Sequence, residues 1–343
     1  MTTPQPENQR PAGEGRDPKD AVPADAAPAL EAALADPRVR EFLNHLATDR
    51  GASVYTQRNY RQAVVEFHQW HAAERVQPPP WAGLGRDDFR GYLRYLGRGK
   101  LSRAAVQLRF SALRTFYRFL VRRGVVETTP IRNLALPKQP KRLPKFLTAD
   151  QMLTLLVAPI KELSLLDQAA VTPADRAAFH RDAAILEVIY SCGLRISELC
   201  GLRCDDLDWS QQMARVRGKG KKERHVPVGA PALEAIRRYW KELEEPPAGE
   251  LPVFLAYAQR SEPMSPRTVQ LRLKRYLALA GLDPALTPHK IRHSYATHLL
   301  DAGADLRSVQ ELLGHAHLTS TQVYTHLTTE RLKKAYDQAH PRA

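Results

Sequence analysis

The chain has 343 residues, which is enough for two domains, and 43% of them are hydrophobic, so each domain can bury a core. Its net charge of +14 at pH 7 points to a polyanionic partner. No apolar run is long enough to span a membrane, and the N-terminus lacks the basic-then-apolar order of a signal peptide. We therefore expect a cytoplasmic protein of bacterial type with no membrane partner.

The charge is spread unevenly along the chain. Residues 1–36 carry 3 basic and 7 acidic side chains and are rich in proline, alanine and glycine without periodicity, which predicts a disordered tail. Residues 37–142 carry 21 basic and 7 acidic side chains, a net charge of +14. Because like charges repel within a compact domain, stability alone does not explain this excess, and it favours binding to an anion.

Helical patterns fill residues 37–137, the first expected domain. One apolar stripe begins after Ser102, a residue type common at helix N-caps, and basic side chains run beside it on one face. Alone, that face would be an ordinary solvated one, but within a region of net charge +14 it indicates a DNA-facing surface. The basic side chains that we expect to contact DNA are Arg103, Arg114 and Arg118.

A basic linker is expected at residues 138–146. The wider stretch 130–146 holds four prolines and five basic residues and shows no helix or strand pattern. The second domain, residues 147–343, has mainly helical patterns and one β-hairpin signal, in which residues 213–216 and 224–228 flank a turn bracketed by glycines.

Short segments of the second domain hold residues suited to cleaving a phosphodiester. This reaction places negative charge on the non-bridging oxygens and needs a proton for the leaving oxygen. Arginine suits the first task because its planar guanidinium binds two oxygens and keeps its charge. Arg195 follows Gly193, a predicted C-cap, at a junction between helices. Arg292 lies three residues after His289, on one face of another helix.

The remaining candidates follow the same chemistry. Lys219, at the predicted hairpin tip, could protonate the leaving oxygen, and Tyr324 carries a hydroxyl that could attack the phosphate. His315 directly follows the glycine that ends a predicted helix at residues 309–313. The basic residues near the hairpin tip are expected to make simple phosphate contacts, and they are Lys221, Lys222 and Arg224.

Each of these residues also has an ordinary structural explanation. A single tyrosine usually packs, and a single arginine usually lies on the surface. The pairs His289/His293 and His315/His317 could suggest a metal, but no carboxylate or cysteine completes either pair. We therefore expect no metal and no other cofactor.

Five segments together resemble the motifs of the tyrosine recombinase family, most closely the XerC/XerD group that resolves chromosome dimers. The resemblance covers about residues 37–343, with the order and spacing of the family. It implies a mainly α fold, with an N-terminal four-helix DNA-clamping domain and a mostly α catalytic domain that contains a small antiparallel sheet. The five segments are residues 193–199, 218–221, 289–298, 313–315 and 324–326.

The resemblance also implies roles and partners. Tyr324 would be the nucleophile that forms a 3′-phosphotyrosyl link to double-stranded DNA. The protein would act as a homo- or hetero-tetramer with a second recombinase at a dif-like site, under regulation by the DNA translocase FtsK, and the segment after the nucleophile would dock on a neighbouring protomer. The residues that would activate the phosphate are Arg195, Lys219, His289, Arg292 and His315.

Some features depart from this pattern, and several functions stay open. Residues 1–35 have no counterpart in the shortest members of the family, and residues 158–181 form a long lead-in that is either a surface excursion or a protomer contact. The same chemistry could serve an integrase of a mobile element. Two further classes of protein stay open, a non-enzymatic DNA-binding protein on a recombinase scaffold and a metal-dependent nuclease.

Overall fold

The computed structural model describes residues 27–49, 51–138, 146–218, 223–257, 260–314 and 326–342. The chain divides into two compact units, Met1–Arg142 and Leu143–Ala343. In the described parts of the chain, no helix combines the length and the apolar character needed to cross a bilayer. The expected tail up to residue 26 and the linker residues 139–145 lie outside the described residues.

The first unit is a group of helices around an aromatic core. The ring of Phe67 stacks on that of Phe89, with centroids 5.1 Å apart, and on that of Trp81 at 5.5 Å. The predicted four-helix domain is confirmed as α2 to α5, and one short helix precedes it. The helices are α1 (Ala27–Ala35), α2 (Pro37–Ala47), α3 (Val54–Arg75), α4 (Arg86–Arg98) and α5 (Arg103–Arg122).

Helix α1 corrects the expectation of a disordered tail as far as residue 36. Its sequence is rich in alanine, which is the strongest helix former, and Ala33 is fully buried. Asp36 then caps α2 by accepting a hydrogen bond from the Arg38 amide, and its other carboxylate oxygen lies 2.6 Å from Trp81 Nε1. Residues 27–35 are therefore helical rather than disordered.

The second unit is mostly helical, as predicted. Helix α7 packs against α6 and α9, and every residue from Arg181 to Cys192 is buried. It therefore lies at the centre of the unit. The helices are α6 (Ala149–Leu165), α7 (Pro173–Cys192), α8 (Ile196–Cys200), α9 (Ala230–Lys241), α10 (Pro266–Leu279), α11 (Pro288–Asp301), α12 (Leu306–Leu313) and α13 (His326–Ala339).

Two small antiparallel sheets lie within the described residues of the second unit. The first has the strand order β1-β2-β3, and its β2–β3 pair is the predicted hairpin, with Ala214 opposite Val226. The second sheet is a two-stranded hairpin that the sequence analysis did not identify. The strands are β1 (Leu207–Asp208), β2 (Met213–Arg217), β3 (Glu223–Pro227), β4 (Leu255–Tyr257) and β5 (Arg260–Pro263).

The long lead-in at residues 158–181 is mostly helical. It comprises the end of α6, a turn and the first half of α7. Thr172 begins α7 with a capping box, in which its hydroxyl accepts a hydrogen bond from the Asp175 amide at 3.1 Å. Val157 and Leu165 remain exposed on α6, and a protomer contact at this surface stays a prediction.

Helix α13 belongs to the segment that was expected to dock on a neighbouring protomer. In this structure it packs on its own unit, where Tyr336 is buried and its hydroxyl lies 2.8 Å from Ser191 Oγ. Arg342 forms an ion pair with Glu187 of α7. Docking of this segment on a neighbouring protomer stays a prediction.

Candidate active site

Arg195 lies at a sharp junction between α7 and α8. Helix α7 ends at Gly193 in the left-handed conformation, with φ of +58°, which confirms the predicted C-cap. A Cβ at this position would lie 2.6 Å from the Tyr295 ring, so a larger residue does not fit. Arg195 is the N-cap residue of α8, and its side chain is 44% exposed. The Arg195 side chain is therefore accessible to a ligand that arrives from solvent.

Arg292 is the buried counterpart of Arg195. It lies in α11 and is only 4% exposed, and its guanidinium donates hydrogen bonds to the carbonyl oxygens of Gly193 and Leu313. These carbonyls end α7 and α12, where the helix dipoles favour a cation. Burial, followed by the nearby charge of Arg195, lowers the pKa of Arg292 to about 10. The group stays cationic at neutral pH, and its direction is fixed by two helix ends.

Glu198, a residue with no role predicted from the sequence, joins the two arginines. Its carboxylate oxygens lie 2.7 Å from Arg195 Nη1, 2.9 Å from both terminal nitrogens of Arg224 and 3.8 Å from Arg292 Nη1. Burial alone would raise the pKa of Glu198, but the hydrogen bonds and charge of Arg224, and then the bonds from Arg195, hold it at about 2. One carboxylate thus orients three guanidinium groups.

The structure corrects the prediction for Arg224. It was expected to make a simple phosphate contact near the hairpin tip, but it is only 6% exposed. Side chains alternate along β3, so Arg224 points inward between exposed neighbours. Besides its two bonds to Glu198, its Nε donates to the Leu312 carbonyl at 3.1 Å. Arg224 therefore lies inside the protein and holds Glu198 and the end of α12 in place.

His289 lies on α11 one turn before Arg292 and is exposed. Partial loss of water lowers the pKa of His289, and the positive charges of Arg292 and Lys290 lower it further. The ring is therefore neutral at pH 7 and able to accept a proton. Thr287 is the N-cap residue of this helix and Pro288 its first residue, although the Thr287 side chain makes no capping hydrogen bond.

Several predicted site residues lie outside the described part of the chain. The structure does describe their neighbours. Gly314 precedes the predicted site residue His315. Its carbonyl accepts a hydrogen bond from Arg195 at 3.3 Å, and Gly314 ends α12 with φ of +64°. Strand β2 ends at Arg217 and β3 begins at Glu223. The residues outside are Lys219, Lys221, Lys222, His315 and Tyr324.

Tyr295 lies close to Arg292 and Arg224. It is fully buried, and burial raises the pKa of its hydroxyl. Its ring fills the space beside Gly193, so the hydroxyl has no path to a DNA strand. In the described residues, no group of three or more histidine, cysteine, aspartate or glutamate side chains is placed to hold a metal ion.

On the first unit, two of the three predicted DNA contacts hold the chain itself. Arg103 and Arg114 donate to main-chain carbonyls within residues 134–138, at 3.0 and 3.3 Å. Arg118 is exposed and bonds to Thr115 Oγ1 at 3.1 Å. Arg118 also lines an open hollow with Arg122, so it is the better placed of the three predicted contacts to meet a phosphate.

The chain matches known proteins along most of its length. The model of the phage integrase family matches residues 145–331, and that of the phage integrase N-terminal SAM-like domain matches residues 39–124. The chain is 41% identical over 305 residues to the tyrosine recombinase XerC of Alcanivorax borkumensis, covering 89% of this chain and 94% of the relative. The tyrosine recombinase XerC of Shewanella amazonensis is also 41% identical over 305 residues, with 89% of this chain and 96% of the relative covered.

Solved structures share the fold. The XerH site-specific recombinase bound to a palindromic difH substrate, in its post-cleavage complex, matches with a TM-score of 0.62 and 20% identity, covering 90% of this chain and 92% of that one. A lambda integrase dimer bound to a COC′ core site matches with a TM-score of 0.59 and 20% identity, covering 89% and 96%. With a family model that spans more than half of its length and relatives at 41% identity, the chain belongs to the phage integrase family of tyrosine recombinases.

Proposed function

We propose that this protein cuts and rejoins double-stranded DNA at a specific site, with Tyr324 as the nucleophile. The tyrosine oxygen attacks the scissile phosphorus, a new phosphorus–oxygen bond forms, and the bond to the 5′ oxygen breaks, which releases a 5′ hydroxyl. A 5′ hydroxyl from another strand then attacks the 3′-phosphotyrosyl link and frees the tyrosine. Because the link conserves the energy of the phosphodiester, neither ATP nor a metal is required.

The convergence of Arg195 and Arg292 on one carboxylate is the observation that carries this proposal. Glu198 and the ends of α7 and α12 hold the two guanidinium groups in place before DNA arrives. A pentacoordinate phosphate gains negative charge on its non-bridging oxygens, and preorganised cations stabilise it without further rearrangement. We assign this role to Arg195 and Arg292, together with His315.

The proton transfers are assigned to other side chains. His289, neutral at pH 7 for the reasons given above, accepts the proton of the attacking tyrosine or orients the phosphate. Lys219 protonates the leaving 5′ oxygen, as an ammonium group in reach of that oxygen can. Lys221 and Lys222 contact neighbouring phosphates. The support for these three lysine roles is their position between β2 and β3 in the sequence and the resemblance of the surrounding motif.

The division of labour between the two parts of the chain follows the charge. We assign DNA clamping to residues 37–137, which hold most of the positive excess, linkage to residues 138–146, and catalysis to residues 147–343. Exposed Arg118 is the first candidate for a phosphate contact in the clamping domain.

The biological setting is proposed from the relatives. Because proteins at 41% identity over most of this chain are named tyrosine recombinase XerC, we propose that it resolves chromosome dimers at a dif-like site in the cytoplasm. It would act as a tetramer with a second recombinase, regulated by the translocase FtsK. An integrase of a mobile element would use the same chemistry, and a gene lying within a phage or transposon would favour that function instead.

The test is covalent trapping on nicked duplexes that carry candidate sites, performed in EDTA. The proposal predicts a protein–DNA adduct and a free 5′ hydroxyl, formed equally well with and without the chelator. A requirement for a divalent metal, or products with a 5′ phosphate, would identify a nuclease. Binding without any adduct on every site would favour a non-enzymatic DNA-binding protein.

A further inference from the structure

The main chain of Leu147 is clamped by two side chains of α11. The Leu147 amide donates to Ser294 Oγ at 2.8 Å, and its carbonyl accepts from His298 Nε2 at 2.9 Å. All the groups involved are buried, with exposures of 2% for Leu147, 0% for Ser294 and 8% for His298. We call this arrangement of Leu147, Ser294 and His298 the Leu147 clamp.

Every polar atom of the Leu147 clamp has a partner. A carbonyl can only accept, so His298 Nε2 carries a proton. In the neutral ring, Nδ1 then accepts from the hydroxyl of Tyr190 at 2.8 Å. Ser294 Oγ in turn donates to the Lys290 carbonyl of its own helix at 3.1 Å. The imidazole therefore holds one tautomer and one orientation. A fully satisfied buried network of this kind specifies a unique geometry, which apolar packing would not.

The Leu147 clamp shares its helices with the candidate active site. Ser294 and His298 are four residues apart and lie on one face of α11. The same helix carries His289 and Arg292. Tyr190 lies in the last turn of α7, close to the Gly193 carbonyl that accepts from Arg292. A shift of α11 relative to α7 would therefore disturb the clamp and the guanidinium of Arg292 together.

Leu147 is also where the chain enters the catalytic unit. Phe146, the residue before it, places its ring edge-on to the ring of His293, with centroids 6.4 Å apart. Thr148, the residue after it, caps α6. Because the Leu147 clamp binds main-chain atoms, it holds the path of the chain whatever side chain occupies position 147.

We propose that Ser294 and His298 are positioning residues for DNA cleavage. By fixing Leu147 to α11, they hold this helix in the register at which Arg292 reaches the Gly193 carbonyl and His289 faces the phosphate. This inference rests on the proposed recombinase function. A misplacement of about 1 Å at a reacting phosphate costs roughly a hundredfold in rate, so loss of the clamp should slow cleavage without weakening DNA binding.

Two substitutions of His298 separate this role from simple packing. In His298→Gln the amide nitrogen lies near the former Nε2 and keeps the bond to Leu147. In His298→Asn the amide lies near the former position of Nδ1. It therefore keeps a polar group beside Tyr190 and loses the hydrogen bond to the Leu147 carbonyl. Ser294→Ala removes the other half of the Leu147 clamp, and Tyr190→Phe removes only the hydroxyl on the far side of the ring.

The experiment measures, for the full chain, the rate of covalent adduct formation at saturating DNA, the DNA affinity and the melting temperature. We expect His298→Asn and Ser294→Ala to lower the rate by about 10- to 100-fold at unchanged affinity. The rate of His298→Gln should be about tenfold higher than that of His298→Asn, and the two variants should melt at similar temperatures. Tyr190→Phe should melt lower and, because it keeps both bonds to Leu147, should lose less rate than His298→Asn.

Two results would overturn the inference. One is an equal rate for His298→Gln and His298→Asn, and the other is a rate that follows the melting temperature through all the variants. Should His298→Asn not fold, Ser294→Ala, which removes a single oxygen atom, carries the test. If the unmodified chain forms no adduct at all, the proposed recombinase function is refuted, and the inference is refuted with it.

Discussion

Both terminal nitrogens of Arg224 lie 2.9 Å from the carboxylate oxygens of Glu198, and the pair is buried, with side-chain exposures of 7% and 3%. Glu198 also binds the exposed Arg195 at 2.7 Å. The buried arginine thus fixes a carboxylate that fixes a second arginine facing solvent. A residue with no access to DNA can in this way determine where a phosphate is held.

We expect Glu198→Gln to lower the free energy of unfolding by roughly 3–5 kcal/mol, because the charge of Arg224 is left buried without its partner. Cleavage should fall as well, since Arg195 and Arg292 lose their common anchor. Denaturant unfolding and adduct formation measure the two effects. Glu234→Gln is the matched control, because Glu234 pairs with Arg238 on the exposed face of α9 and should contribute less than about 1 kcal/mol.

The same pair predicts a pH dependence. The pKa of Glu198 is about 2 in the folded chain, below the value of about 4.3 for an unperturbed glutamate. Its contribution to stability is therefore complete above about pH 4.3 and is lost as the pH falls toward 2. The stability difference between the unmodified chain and Glu198→Gln should shrink over this window, and a constant difference would show that the Glu198 charge contributes nothing.

Arg195→Lys and Arg292→Lys should each lose most cleavage while keeping their positive charge. A lysine ammonium cannot reproduce the two-point geometry, and loss of one transition-state donor costs about 10²–10³ in rate. Single-turnover adduct formation measures this loss, with Arg238→Lys on the exposed face of α9 as a control expected to cleave normally. Near-normal cleavage by Arg292→Lys would reduce that arginine to a structural link between α7 and α12.

Lys219→Ala should fail because the leaving oxygen is not protonated. A 5′-bridging phosphorothioate leaves without a proton, so this substrate should restore cleavage to Lys219→Ala. It should not restore cleavage to Arg292→Ala, whose defect lies in charge stabilisation. Continued inactivity of Lys219→Ala on the phosphorothioate would remove Lys219 from the role of general acid.

Arg118→Gln should weaken binding to all DNA sequences about equally and flatten the slope of log affinity against log salt by roughly 0.9. Base preference should survive, because phosphate contacts position a protein without reading sequence. Fluorescence anisotropy across a salt series measures the slope. Arg75→Gln is the control, since Arg75 is already paired with Asp88 at 3.3 Å. An unchanged slope in Arg118→Gln would show that this face of α5 is exposed to solvent and does not contact DNA.

Local signals in the sequence predicted the elements that carry the site. The C-cap at Gly193, the N-cap at Ser102 and the β2–β3 hairpin follow from residue preferences within a few positions, and the structure contains all three. The inward direction of Arg224 was missed, because its partner Glu198 lies 26 residues away and only the tertiary fold brings them together. Docking of α13 on a neighbouring protomer stays a prediction. Its apolar face fits either the same chain or a neighbour, and sequence does not distinguish the two.

The most direct test of the account is to map the covalent link. A nicked duplex is incubated with the unmodified chain and with Tyr324→Phe, the adduct is digested, and the modified peptide is sequenced by mass spectrometry. The account predicts a 3′-phosphotyrosyl link at Tyr324 in the unmodified chain. It also predicts that Tyr324→Phe binds DNA with near-native affinity and forms no adduct, because only the nucleophilic oxygen is gone. An adduct that persists in Tyr324→Phe, or one that maps to another residue, would contradict it.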